Sequence, residues 1–133
     1  TRRSSDLVKE AAKLLNGFDI EIVEKHHNRK VDAPSGTAIM IANGVKEVLP
    51  ESNVVNGRSG RSCKRQPGDI GISAVRGGTI VGEHDALFCG DSEVVTISHQ
   101  AQSRQIFANG ALAAAKFIAD KESGFYNMDD MLK

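Results

Sequence analysis

Residues 18–37 read FDIEIVEKHHNRKVDAPSGT. Phe18, Ile20 and Ile22 alternate with Asp19 and Glu21, the period-two pattern of a strand that runs to Glu24. A polar loop leaves the end of that strand, carrying two imidazoles, His26 and His27, and two cations, Arg29 and Lys30. Pro34 then disfavours helix at Ala33, and Ser35 suits a helix N-cap. Ala38, Ile41, Ala42, Val45, Val48 and Leu49 repeat with helical spacing until Pro50. The loop is therefore pinned between a strand end and a helix start. The first amides of a helix have no partner within it and attract anions, so Ser35, Gly36 and Thr37 can hold a small anion beside a proton donor.

Outward from this stretch, Ser4-Ser5-Asp6 can cap a first helix whose apolar positions are Leu7, Val8, Ala11, Leu14 and Leu15, with Gly17 as its stop. From Glu51 to Asp69 the chain is polar and glycine-punctuated, without periodicity, and reads as a long mobile loop bearing Arg58, Arg61, Lys64 and Arg65. Asp69 to Arg76 and Thr79 to Phe88 read as strands joined by a Gly77-Gly78 hairpin turn, because glycine accepts positive φ. After a turn at Gly90-Asp91, Glu93 to His99 makes a third strand of the meander. Ser103 can cap a last helix with Phe107, Ala111, Ala114, Ala115 and Ile118 on one face. The expected architecture is α+β: one domain over residues 1–133, with a mixed, mostly antiparallel four-stranded sheet and helices on one face. Residues 1–17 form its first helix and 121–133 a polar tail. No strand is followed by the G-x-G-x-x-G turn of a dinucleotide-binding fold.

Lys plus Arg and Asp plus Glu number 17 each, so no net field draws the chain to nucleic acid or to an anionic membrane. No apolar run approaches the ~18 residues needed to span a bilayer, and no signal-like segment is present, which points to the cytoplasm. Cys63 and Cys89, 26 residues apart, fit neither a disulfide framework nor a zinc knuckle. No metal is expected, since His26 and His27 are adjacent in sequence and do not form the i, i+4 pair of a zinc helix.

Each candidate has a bland alternative. A histidine pair can be a solvated loop or a satisfied core imidazole, and Ser before Gly-Thr is a common cap that needs no ligand. Lys30 beside the Ser-Gly-Thr turn favours function: an imidazolium near an anion can deliver a proton to carbon or nitrogen, and Lys30 can reach the anion held by the Gly36 and Thr37 amides. Gly36 also permits close backbone approach to a ligand. Asp32 can orient a loop cation or cap the turn. Arg29 reads as a surface residue, the 58–65 run as solvated loop, and His84 and His99 as structural.

The stretch Glu24, His26, His27, Lys30, Asp32-Ala33-Pro34-Ser35-Gly36-Thr37-Ala38 resembles the signature of dihydrodipicolinate reductases. Val75-Arg76-Gly77-Gly78, Ile80-Val81-Gly82-Glu83-His84, Phe107-Ala108-Asn109-Gly110-Ala111 and Lys121-Glu122-Ser123-Gly124 follow in the family's order. The resemblance implies the C-terminal substrate-binding and tetramerisation domain of an oxidoreductase of lysine and diaminopimelate biosynthesis, without the Rossmann half that binds NADH or NADPH. It makes residues 1–17 the hinge-side helix. By that resemblance His26 is the general acid, assisted by Lys30. His27, Lys30, Ser35, Gly36 and Thr37 bind a cyclic dicarboxylate, and Arg104 and Phe107 lie near the hinge and the nicotinamide. A homotetramer is implied, and the chain by itself is expected to be inactive. The alternatives are a dicarboxylate-binding module without chemistry and a purely structural oligomerisation module.

Overall fold

The computed structural model describes residues 2–132; Thr1 and Lys133, the outer ends of the expected hinge-side helix and tail, lie outside the described residues. In chain order the elements are α1 (Arg2–Leu14), β1 (Asp19–His26), α2 (Gly36–Val48), β2 (Asn53–Asn56), β3 (Asp69–Arg76), β4 (Glu83–Gly90), β5 (Glu93–Gln100), α3 (Gln105–Ala119) and α4 (Met128–Leu132). Two compact units divide the chain between Gln100 and Ala101.

The first unit is a mixed sheet of order β2-β3-β1-β4-β5, five strands rather than four. β2 and β3 run parallel to each other and β3 parallel to β1, while β4 is antiparallel to both β1 and β5. The extra strand, β2, is an edge strand of four residues, too short and too exposed to show a period in sequence.

Register explains where the core ends. Ile20 stands between Ile70 and Phe88, and Ile22 between Ile72 and Ala86, and all six belong to one core with Val8 and Ala12 of α1 and Ile41 and Val45 of α2. Fully burying a side chain such as Phe88 or Ile22 contributes roughly 1.5–3 kcal/mol. One rung further along, the same face carries Glu24 between Ala74 and His84. The apolar pattern stops at the C-terminal end of β1, and the polar site begins there.

Three expectations need correction. Gly77-Gly78 does not close a hairpin: β1 occupies the slot between β3 and β4, and residues 77–82 arch over its end. Gly77 N–H donates to the His26 carbonyl at 2.9 Å, and Asn28 N–H to that of Gly78 at 3.2 Å. Ile80 and Val81 lie in this arch, so β4 starts only at Glu83. The α1 face is also different, with Ser5, Val8 and Ala12 buried while Leu7 and Leu14 are 61% and 85% exposed. Gly44 is the reason: a Cβ there would stand 3.2 Å from Ser5 Oγ, so two small residues let α1 lie close on α2.

Loop 57–68 is tied down rather than free. Arg58 donates to both Glu21 oxygens at 2.8 and 3.0 Å, and Arg65 pairs with the same carboxylate and with Asp19 at 3.0 Å. Glu21 lies across β3 at Gly71, where any Cβ would collide with the carboxylate. Arg58 and Arg65 of the basic run are thus neutralised on the sheet face opposite the helices. In the second unit no residue of α3 is buried and Arg104 occupies its N-cap, while Ser103 Oγ accepts from Gln105 N–H at 3.1 Å.

Candidate active site

Strand β1 continues to His26, two residues beyond the expected end, so alternation puts Glu24 and His26 on the same face. Glu24 is fully buried and acts as the hub. Its Oε2 accepts from Arg76 Nη1 at 2.7 Å and lies 2.6 Å from His26 Nδ1; its Oε1 accepts from Arg76 Nη2 at 2.6 Å and from Ser35 N–H at 2.9 Å. Burial alone would raise the Glu24 pKa, but the hydrogen bonds from Arg76, His26 and Ser35 outweigh it and hold the carboxyl below its ordinary value. Arg76 Nη2 also donates to the Asp32 carbonyl at 2.8 Å. The His-His loop therefore begins at His26, ends at Ser35, and has both ends fastened to one carboxylate.

Ser35 caps α2 as expected. Its extended backbone (φ −66°, ψ 152°) precedes the helix, and its Oγ accepts from Ala38 N–H at 3.2 Å. That leaves the hydroxyl hydrogen for His84 Nε2, 2.8 Å away. His84 is buried, and its ring meets His26 edge-on with centroids 5.2 Å apart. Burial and the nearby His26 push the His84 pKa down to about 4, so it is neutral at neutral pH and can stand beside an imidazolium.

Within the loop Lys30 pairs with Asp32 at 2.7 Å, and its backbone N–H closes a turn onto the His27 carbonyl at 3.1 Å. The Lys30 ammonium in turn holds the Asp32 carboxyl below its usual range. His27 is half-buried at the loop start; Gly36 is exposed and Thr37 half-buried in the first turn of α2. Arg104 and Phe107, by contrast, belong to the second unit, at the start of α3. Among the described residues no group of three or more His, Cys, Asp or Glu side chains could hold a metal ion. None of their helices is long and apolar enough to cross a membrane.

Residues 4–132 match the family described as "Dihydrodipicolinate reductase, C-terminus". The chain belongs to the dihydrodipicolinate reductase family. It is 62% identical over 128 residues to the 4-hydroxy-tetrahydrodipicolinate reductase of Caldanaerobacter subterraneus subsp. tengcongensis, covering 96% of this chain and 51% of the relative. The Staphylococcus carnosus reductase is 53% identical over 125 residues, with 94% and 52% covered. Among solved structures, the dipicolinate-bound dihydrodipicolinate reductase from Paenisporosarcina sp. TG-14 superposes with a TM-score of 0.66 at 27% identity, over 96% of this chain and 50% of that one. The chain thus spans about half the length of the relatives it matches, aligned with the family's C-terminal part.

The sequence reading assigns no role to two residues of the site, Arg76 and the hub Glu24, and reads His84 as structural. A charged residue on the apolar face of an alternating strand was the available signal for Glu24, because a carboxylate facing a core must find cations or N–H donors.

Proposed function

We propose that this chain is the substrate-binding and proton-donating half of a 4-hydroxy-tetrahydrodipicolinate reductase, an enzyme of lysine and diaminopimelate biosynthesis in the cytoplasm. The observation that carries the reading is the shared anchor: Glu24 holds a proton donor, His26, and an anion-attracting helix start, Ser35, at the two ends of the loop that bears Lys30. A cyclic dicarboxylate needs such a combination. One carboxylate meets the first amides of α2 at Gly36 and Thr37, with Ser35, His27 and Lys30 around it. The enamine formed on reduction takes its proton at carbon from the imidazolium of His26, which then recovers one from solvent.

Nicotinamide supplies hydride in reductases of this kind. The described residues do not form a cradle for its pyrophosphate, because the β1–α2 connection holds the histidine loop where a dinucleotide fold has its glycines. We assign Arg104 and Phe107 as this chain's contribution to the cofactor site, and expect the chain alone to be inactive.

Pyridine-2,6-dicarboxylate tests the reading by calorimetry. It should bind this chain, and Lys30→Ala should weaken it roughly ten- to hundredfold, the worth of one charge-assisted hydrogen bond. Equal heats from both proteins, or none from either, would remove the dicarboxylate site. Binding that persists while a completed enzyme stays inactive would favour a sensing module.

We also infer a homotetramer. Opposite the helices the sheet presents Val75 and Val94, 43% and 56% exposed, among ion-paired Lys25, Glu83 and Asp85, while Val95 and Ile97 belong to the core face. The same unit ends in the open edge of β5, and α3 exposes Ile106, Leu112 and Ile118. Soluble proteins usually cover such surfaces. Sedimentation at micromolar concentration should give about four times 14.3 kDa, and a stable monomer would defeat the inference.

A further inference from the structure

We propose that Glu24, clamped by Arg76, is the positioning residue for His26: it fixes the hydrogen on Nδ1, so that Nε2 is the nitrogen that exchanges a proton with substrate. The proposal rests on His26 being the acid, as read above.

The argument is one of hydrogen-bond capacity. An ionised carboxylate only accepts, and it has about four acceptor positions. Glu24 uses all four on Arg76 Nη1, Arg76 Nη2, Ser35 N–H and His26 Nδ1, at 2.6–2.9 Å, and is itself fully buried. Arg76 and a backbone N–H are obligate donors, so the carboxylate has no hydrogen to give and the 2.6 Å contact must be Nδ1–H donating to Oε2. That hydrogen stays on Nδ1 in both charge states of the ring, and the proton that comes and goes is carried by Nε2.

The space around Nε2 agrees with that role. It faces Gly82, in the arch over the end of β1, where a Cβ would stand only 3.2 Å away. His84 covers another side edge-on and is itself engaged with Ser35, so it does not compete for the Glu24 oxygens. Arg76 completes the device by reaching the Asp32 carbonyl, which ties the loop carrying Lys30 to the same carboxylate. An ordinary buried ion pair would stabilise the fold without selecting one ring nitrogen. Here the geometry makes the selection, and that difference can be measured.

The test is the ring-nitrogen NMR spectrum of His26 in this chain, recorded above the ordinary imidazole titration range. The expected result is a hydrogen on Nδ1, against the Nε2–H preference of an unconstrained histidine; an Nε2–H ring overturns the proposal even if no variant folds. Glu24→Gln should shift the ring toward a tautomer mixture. Joined to the remaining half of the Caldanaerobacter reductase, it should lower kcat roughly ten- to a hundredfold with KM nearly unchanged. Glu24→Asp should recover part of the loss. A folded Glu24→Gln protein with the wild-type tautomer and kcat would overturn the proposal. Gly82→Ala keeps every charge and should lower kcat while leaving the Nδ1 hydrogen in place; unchanged kcat would mean Nε2 is not the exchanging nitrogen. The two readings fail separately: absent dicarboxylate heats with an Nδ1–H ring count against the substrate alone, and normal heats with an Nε2–H ring count against Glu24 alone.

Discussion

His26→Ala, in a chimera joining this chain to the remaining half of the Caldanaerobacter reductase, should lower kcat by about 10²–10⁴-fold, the usual contribution of a positioned acid. KM should move far less, because a proton donor acts mainly in the transition state, whereas the proposed contacts to the dicarboxylate are Lys30 and the start of α2. The structure gives the prediction its sharpness. His26 is fixed on two sides, by Glu24 through Nδ1 and by the edge contact with His84, so water entering an alanine cavity has no comparable orientation. His26→Asn should recover little, since an amide does not release a proton near neutral pH. Steady-state kinetics at saturating cofactor would show the split between kcat and KM. A kcat within a few-fold of the parent would pass the role of acid to another residue, with His27 next in line by position.

The parts of this site that sequence made legible are local ones. Ser35 announces its cap through the Pro-Ser-Gly-Thr order and Ala38, and the alternation of Ile20 and Ile22 announces β1, because both signals act over a few residues. What was not legible depends on distant pairing. The Gly77-Gly78 turn is locally indistinguishable from a hairpin, and only the insertion of β1 between β3 and β4 makes it an arch over His26. Glu24 looks like one more polar residue at a strand end until Arg76, 52 residues away, and Ser35, 11 away, converge on it. The basic residues 58–65 read as solvated loop, yet Glu21, the partner of Arg58 and Arg65, sits on a strand 37 residues before Arg58. Long-range carboxylate–guanidinium pairing leaves no periodic trace, which is why both hubs emerged only in three dimensions.

Stability should fall as pH drops from 6.5 towards 4, through His84. The buried ring has a folded pKa of about 4 against an ordinary 6.5, because burial and the neighbouring His26 disfavour its charged form. Between those values the unfolded chain binds the proton and the folded chain does not, so protonation draws the equilibrium towards unfolding. The loss starts as pH passes below 6.5 and is complete below about 4. At ~1.4 kcal/mol per pH unit the ceiling is about 3 kcal/mol, a large part of a small domain's stability. The depressed carboxyl of Glu24 adds its own loss only below the ordinary carboxylate value of 4.5, so the upper part of the window reports on the histidine. Urea unfolding of this chain at several pH values across the window should give a slope that His84→Gln flattens. The amide can still meet Ser35 Oγ, so the variant isolates titration from the hydrogen bond. His84 Nε2 accepts the Ser35 hydroxyl hydrogen, so Nδ1 carries the neutral ring's hydrogen, and a second proton must go to Nε2 at the expense of that bond while Nδ1–H stays buried without a partner. Equal slopes in the two proteins would mean that the folded ring accepts a proton as readily as the unfolded one, and that the polar rung between Glu24 and Ser35 tolerates a second charge.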